Sequence, residues 1–146
     1  MLLTLAARAR AAGAAAPPEL HDLPHFADPE ACRIAAALPQ ASEAHAAAPA
    51  FVRSVVLRTQ LFDRLTTQFL SAHPSGLCIA LGAGLCTRRS RLAALAGTAR
   101  WLNVDLPDAI ALRDQYMDGD ETRLACSILD TSWLDAQGID HVDLVT

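Results

Sequence analysis

The chain has 146 residues, 52% of them hydrophobic and 19% charged, which is enough for one domain with a real core and too apolar for a disordered segment. Its net charge is −4, and its 12 basic residues, all arginine, are scattered, which excludes the clustered basic stripe of a nucleic-acid-binding face. No apolar run reaches the ~20 residues of a membrane span, no basic region precedes the apolar start MLLTLAARAR, and the four cysteines form no C-x-x-C pair. A cytoplasmic protein is expected, without signal peptide, membrane partner or metal site.

Leucine, alanine and arginine predict a helix over residues 1–16, stopped by Pro17 and Pro18. Residues 19–30, broken by Pro24 and Pro29, predict an irregular surface loop. His21 and His25 have the spacing of a helical metal pair, but Pro24 lies between them and argues for ordinary loop histidines. A short helix is expected from Ala31 to Leu38, closed by Pro39. The alanine-rich stretch 41–50 reads as a weak helix or a linker, interrupted by Pro49. From Phe51 to Ala72, Val52, Val55, Val56, Leu61, Phe62, Leu65 and Phe69 recur at helical spacing, so one long amphipathic helix or two should run to the His73-Pro74-Ser75-Gly76 stop.

The texture then changes. Leu77–Leu81 is a short continuous apolar run, the pattern of a central parallel strand covered on both faces. Helix is expected from Arg88 to Leu95, ending at Gly97, and a second strand from Arg100 to Val104, ending at Asp105. Pro107 should open a helix with Ala109, Ile110 and Leu112 on its apolar side. A third strand over 124–129, a short helix over 133–136 and a fourth strand over 141–146 complete the series. Strand–helix alternation without hairpin signals implies a parallel α/β sheet with helices on both faces. The expected division is a helical N-terminal cap, 1–72, and the first half of a Rossmann-like domain, 73–146, stopping after its fourth strand. That strand would be an exposed sheet edge, through which a homodimer could form.

The chemistry concentrates in LCIALGAGLCTRRSRL, residues 77–92. Gly82 allows a sharp turn, and Gly84 allows a ligand close to the backbone. Free amides at the start of the next helix would favour an anion, and the cluster Arg88, Arg89 and Arg91 also suggests one. Asp105 follows Gly84 by 21 residues, at the end of the next strand, where nucleotide-binding folds place an acid for the ribose hydroxyls. A dinucleotide site wants a third glycine; Thr87 stands there. That disfavours the rival reading of an NAD-dependent oxidoreductase and favours S-adenosyl-L-methionine, which has no phosphate and whose carboxylate would suit Arg88 or Arg58.

GAGLCTRRSRL followed by WLNVDLPDAIALR resembles the leucine carboxyl methyltransferase family, in particular its bacterial polyketide O-methyltransferase branch. SILDTSWLD, residues 127–135, and VRSVVLRTQLFD, residues 52–63, are also similar to that branch; the resemblance covers roughly 17–146 and is densest over 52–135. It implies a class I methyltransferase that uses S-adenosylmethionine to methylate a carboxylate or hydroxyl of a small molecule. It also implies roles. Arg58 would face the methionine carboxylate, or else is a surface helix arginine. Gly82, Ala83 and Gly84 would line the methionine and ribose, Asp105 would hold the ribose, and Leu106 would lie against the adenine. Ser127, Ile128 and Asp130 would lie at the adenine edge, with Asp130 equally readable as a helix cap.

Cys86 departs from the aspartate usual in that family, and Ser127 stands where many relatives have an acid. The resemblance names no catalytic base; His73 and His141 are of the right type only. Relatives continue for a hundred residues or more, so a further reading is a fragment that binds a ligand or partner without turnover.

Overall fold

The computed structural model describes residues 1–13, 20, 25–38, 48–139 and 143–146. The Pro17-Pro18 stop, His21, Pro24, residues 41–47 and His141 lie outside them. In chain order the elements are α1 (Leu2–Ala12), α2 (Pro29–Ala37), α3 (Pro49–Ala72), β1 (Leu77–Leu81), α4 (Arg88–Arg91), α5 (Ala93–Ala96), β2 (Arg100–Asp105), α6 (Pro107–Tyr116), β3 (Thr122–Ala125), α7 (Ser132–Ala136) and β4 (Leu144–Val145). They form two compact units, Met1–Arg64 with Leu85–Arg91, and Leu65–Gly84 with Leu92–Thr146. Neither unit ends at residue 72: the helical one includes the segment after the glycine turn, and the other includes the last part of α3.

In the helical unit two prolines do the opposite of what their surroundings suggested. Pro29 opens α2, and Pro49 opens α3, because a helix's first amide has no partner inside the helix and proline's fixed φ suits that position. Residues 25–28 are therefore the entry to a helix, and Asp28 within them is fully buried. Its carboxylate accepts from the Ala31 amide at 3.0 Å, which caps α2. Small side chains allow α1 and α2 to pack closely: Ala6, Ala7 and Ala9 are buried on one, Ala31 and Ala35 on the other. Ala7, Leu20, Val52 and Val55 form a core cluster, with Ala11 against it.

In the other unit, four parallel strands lie in the order β3-β2-β1-β4. Leu77, Ile79, Leu102 and Val104 point to one face, packed with Leu124, Trp133 and Ile139. Cys78 and Trp101 point to the other, packed with Phe69 and Leu70 of α3. This period-two split explains why β1 is apolar throughout: both its faces are covered. β3 ends at Ala125, four residues short of the expected Leu129, because the chain turns: Asp130 N donates to Ser127 O and Leu129 N to Ser127 Oγ. β4 is also shorter than expected, although bonds between Thr146 and Ile79 and from Leu81 to Thr146 extend its pairing. The order reverses between β1 and β4, and the carboxyl ends of strands beside such a switch point are where α/β sheets bind ligands.

Ile79 is 1% exposed at the centre of the sheet. Ile79→Ala should lower the unfolding free energy by ~2–5 kcal/mol, measured by urea denaturation, through lost transfer energy plus the cavity left behind.

Candidate functional site

Gly82 (φ 63°) and Gly84 (φ 44°) both adopt left-handed backbone just after β1, which explains why glycine occupies both. A Cβ at Gly82 would meet no atom within 4 Å, so open space adjoins the turn. The amides of the turn differ from expectation. Gly82 N and Ala83 N donate to Val104 O at 2.8 and 3.4 Å, and Gly84 N donates to Asp105 Oδ2 at 2.7 Å. They tie the turn to β2 and are not available to grip a ligand.

The site is instead organised around Asp105. Its Oδ1 accepts from Leu106 N at 2.8 Å, so each carboxylate oxygen holds one backbone amide, and the side chain stays partly exposed. Because β2 pairs with β3 through Asp105↔Ala125, and Cys126 N donates to Asp105 O at 2.9 Å, the turn carrying Ser127, Ile128 and Asp130 starts at the same sheet end. Leu106 and Ile128 are exposed there, 59% and 42% respectively. Asp130 caps locally: Ser132 N donates to its Oδ1 at 3.1 Å, and these bonds from Ser132 hold its carboxyl below the usual range. Gly82, Ala83, Gly84, Asp105, Leu106, Ser127, Ile128 and Asp130 thus share the carboxyl end of one sheet.

Arg58 and Arg88 belong to the helical unit. Arg58 is exposed on α3. Arg88 is buried, with its guanidinium over the Phe62 ring at 5.2 Å and 3.6 Å from Asp63. The anion expected near the arginine cluster turns out to be the protein's own. Arg91 makes a bidentate pair with Asp63, at 2.6 and 2.8 Å, and donates to Asp28 at 2.8 Å. Arg8 donates to Asp28 at 3.0 Å and to Leu85 O at 2.8 Å. Thr87, at the third-glycine position, is fully buried and donates to Asp28 at 2.7 Å. Sequence reasoning missed Arg8, Asp28 and Asp63 in this network; an Asp-Pro pair ahead of an alanine-rich helix was the available signal for Asp28.

Burial alone would push the Cys86 thiol up. The charges of Arg88 and Arg8, with a backbone hydrogen bond from Arg88, outweigh it and draw the thiol below its usual value. Cys32 goes the other way, raised by burial and by Asp28. His73 is exposed and stacks on Phe69 with ring centroids 5.0 Å apart.

This strand order, with a glycine turn after β1 and an acid ending β2, defines the Rossmann-like class of α/β protein. Residues 2–140 match the family model for leucine carboxyl methyltransferase, and the chain belongs to that family, whose members generally use S-adenosylmethionine. It is similar to the tetracenomycin polyketide synthesis O-methyltransferase TcmP of Streptomyces glaucescens, 34% identical over 86 residues, covering 58% of this chain and 32% of that protein. The chain therefore spans about a third of the length of the curated relative it matches. No helix among the described residues is long and apolar enough to cross a membrane.

Two outcomes follow. Asp28→Ala removes the buried carboxylate that Arg8 and Arg91 share, leaving Arg8 with Leu85 O and Arg91 with Asp63, and uncaps α2, so it should destabilise the fold by ~3–5 kcal/mol, measured by urea denaturation. Cys86 keeps its thiolate in the folded chain at pH values where the unfolded thiol is still protonated. The stability advantage of the native chain over Cys86→Ser should thus grow as pH rises towards ~8.5, level off above it, and vanish as pH falls below the lowered folded value. Denaturation curves of both proteins across that range read it directly.

Proposed function

We propose that this chain forms the cofactor-binding part of an S-adenosylmethionine-dependent methyltransferase that methylates an oxygen, carboxylate or hydroxyl, of a small polyketide-like molecule. The observation that carries the reading is Asp105. An ionised carboxylate offers about four lone-pair sites. The Gly84 and Leu106 amides take one on each oxygen, which leaves an acceptor on each for the two neighbouring hydroxyls of a ribose. Family membership supports methyl transfer, and the name of the Streptomyces relative supports oxygen as the acceptor atom.

In this reading Gly82, Ala83 and Gly84 line the methionine and ribose, and the open space beside Gly82 fits such a ligand. The exposed Leu106 and Ile128 offer apolar surface to the adenine, with Ser127 and Asp130 at its edge. The charge of Arg88 already lies beside Asp63, whereas Arg58 is exposed on α3. The cofactor, when bound, supplies a methyl group on a sulfonium sulfur. The chain contributes binding and orientation, which suffice for an acceptor already carrying negative charge. A carboxylate acceptor needs no base, and none is assigned. The nicotinamide alternative is weaker because Thr87 fills the third-glycine position with a hydroxyl committed to Asp28.

Equilibrium dialysis with labelled S-adenosylmethionine and with NAD tests this. The chain should bind the former, and Asp105→Ala should weaken that binding at least ~10-fold, the worth of one or two lost hydrogen bonds to a charged group. Tight NAD binding without S-adenosylmethionine binding would overturn the proposal.

A further inference from the structure

Arg113 lies in the last turn of α6 and is 1% exposed, although an arginine is seldom buried without a specific reason. Its NH2 donates to Glu121 Oε1 at 2.9 Å, and the side chain of Glu121 is itself only 3% exposed. Its NH1 donates to Gly84 O at 2.9 Å. Glu121 also receives Arg123 NH2 at 3.4 Å. A buried ion pair is a poor device for stability, because desolvating both charges cancels much of their attraction and apolar residues of the same volume often do as well. What apolar residues cannot do is hold a carbonyl oxygen in one place.

Both polar groups of Gly84 are therefore taken: Arg113 holds its carbonyl, and Asp105 holds its amide. Gly84 sits at φ 44°, and because glycine has no Cβ to restrict φ and ψ, the two peptide planes that meet at its Cα need outside contacts to fix them. Arg113 holds the plane that carries the Gly84 carbonyl; the Gly84 N–H lies in the preceding plane, joined to it through those torsions, and fixes one oxygen of Asp105. The order of control runs from Glu121 to Arg113, to the Gly84 carbonyl, through the Gly84 torsions to its N–H, and so to the Asp105 carboxylate.

We infer that Arg113, backed by Glu121, is a positioning residue that sets the Gly84–Asp105 geometry, and through it the affinity for the adenosyl group. The inference rests on the reading of Asp105 as the ribose acceptor, but its first link concerns the protein alone. Arginine suits this role because its planar fork spans two acceptors; a lysine ammonium is a single point and cannot hold both in the same geometry.

The test uses the whole chain with Arg113→Lys, which keeps a cation beside Glu121, and Glu121→Gln, which keeps an acceptor for Arg113. Amide hydrogen exchange by NMR reads Gly84 against Leu102 and Val104 of β2, and dialysis reads the affinity for S-adenosylhomocysteine. In Arg113→Lys, Gly84 should exchange at least ~10-fold faster while Leu102 and Val104 are unchanged, and affinity should fall ~10-fold, as expected for losing a hydrogen bond from a charged donor. Glu121→Gln should give the same pattern, more weakly. Unchanged Gly84 exchange, or equal loss of protection across β2, would overturn the inference, the latter because it marks a general structural role. If the native chain binds no S-adenosylhomocysteine, the proposed function fails, while Gly84 exchange still decides the positioning role.

Discussion

The bond from the Gly84 amide to the Asp105 carboxylate, 2.7 Å long, is the contact on which the site depends. It joins the turn after β1 to the end of β2, two segments 21 residues apart in sequence. Parallel pairing in the register Leu81↔Val104 brings these strand ends side by side. Left-handed glycine then turns the chain back over β2, and the amides of the turn bond to Val104 and Asp105. A donor and an ionised acceptor at this distance make a strong contact that also orients the carboxylate.

The surroundings of that contact follow a common logic in which buried arginines hold backbone carbonyls and carboxylates hold the arginines. Arg113 on Gly84 O is backed by Glu121, and Arg8 on Leu85 O is backed by Asp28. Two successive carbonyls of the loop are thereby fixed. Loops normally lie on the surface because their backbone groups need water. Here side chains take the place of water, so the segment from Gly84 to Arg88, where four of five residues are buried, keeps a defined shape. Cys86 is the exception in burial, and the surrounding guanidinium charge lowers its thiol.

Much of the sheet was legible beforehand, because its signals are local. β1 falls where an unbroken apolar run predicted it, and β2 where RWLNV did, one residue longer. Strand–helix alternation was enough to imply a parallel sheet, and the order β3-β2-β1-β4 agrees. The ends of elements were harder. Ser127 and Asp130 turned the chain after Ala125 because their side chains and carbonyl compete for backbone amides, a choice that apolar residues such as Ile128 and Leu129 do not reveal. Pro29 and Pro49 looked like interruptions and proved to be starts, since proline's effect depends on whether its position needs an amide donor.

The sequence by itself determined the class of the fold, the glycine turn, the acid 21 residues beyond it and the family resemblance, because each rests on short-range pattern or on residue identity. Only the tertiary structure decided what the charges do. Three arginines after the glycine turn look from sequence like a site awaiting an anion. Folding brings Asp63 and Asp28 to Arg91, and Asp63 close to Arg88, from 25 to 63 residues away, and so meets two of those charges from within. Charge pairing acts through space and costs desolvation, so which carboxylate reaches which guanidinium is settled only when the chain has packed.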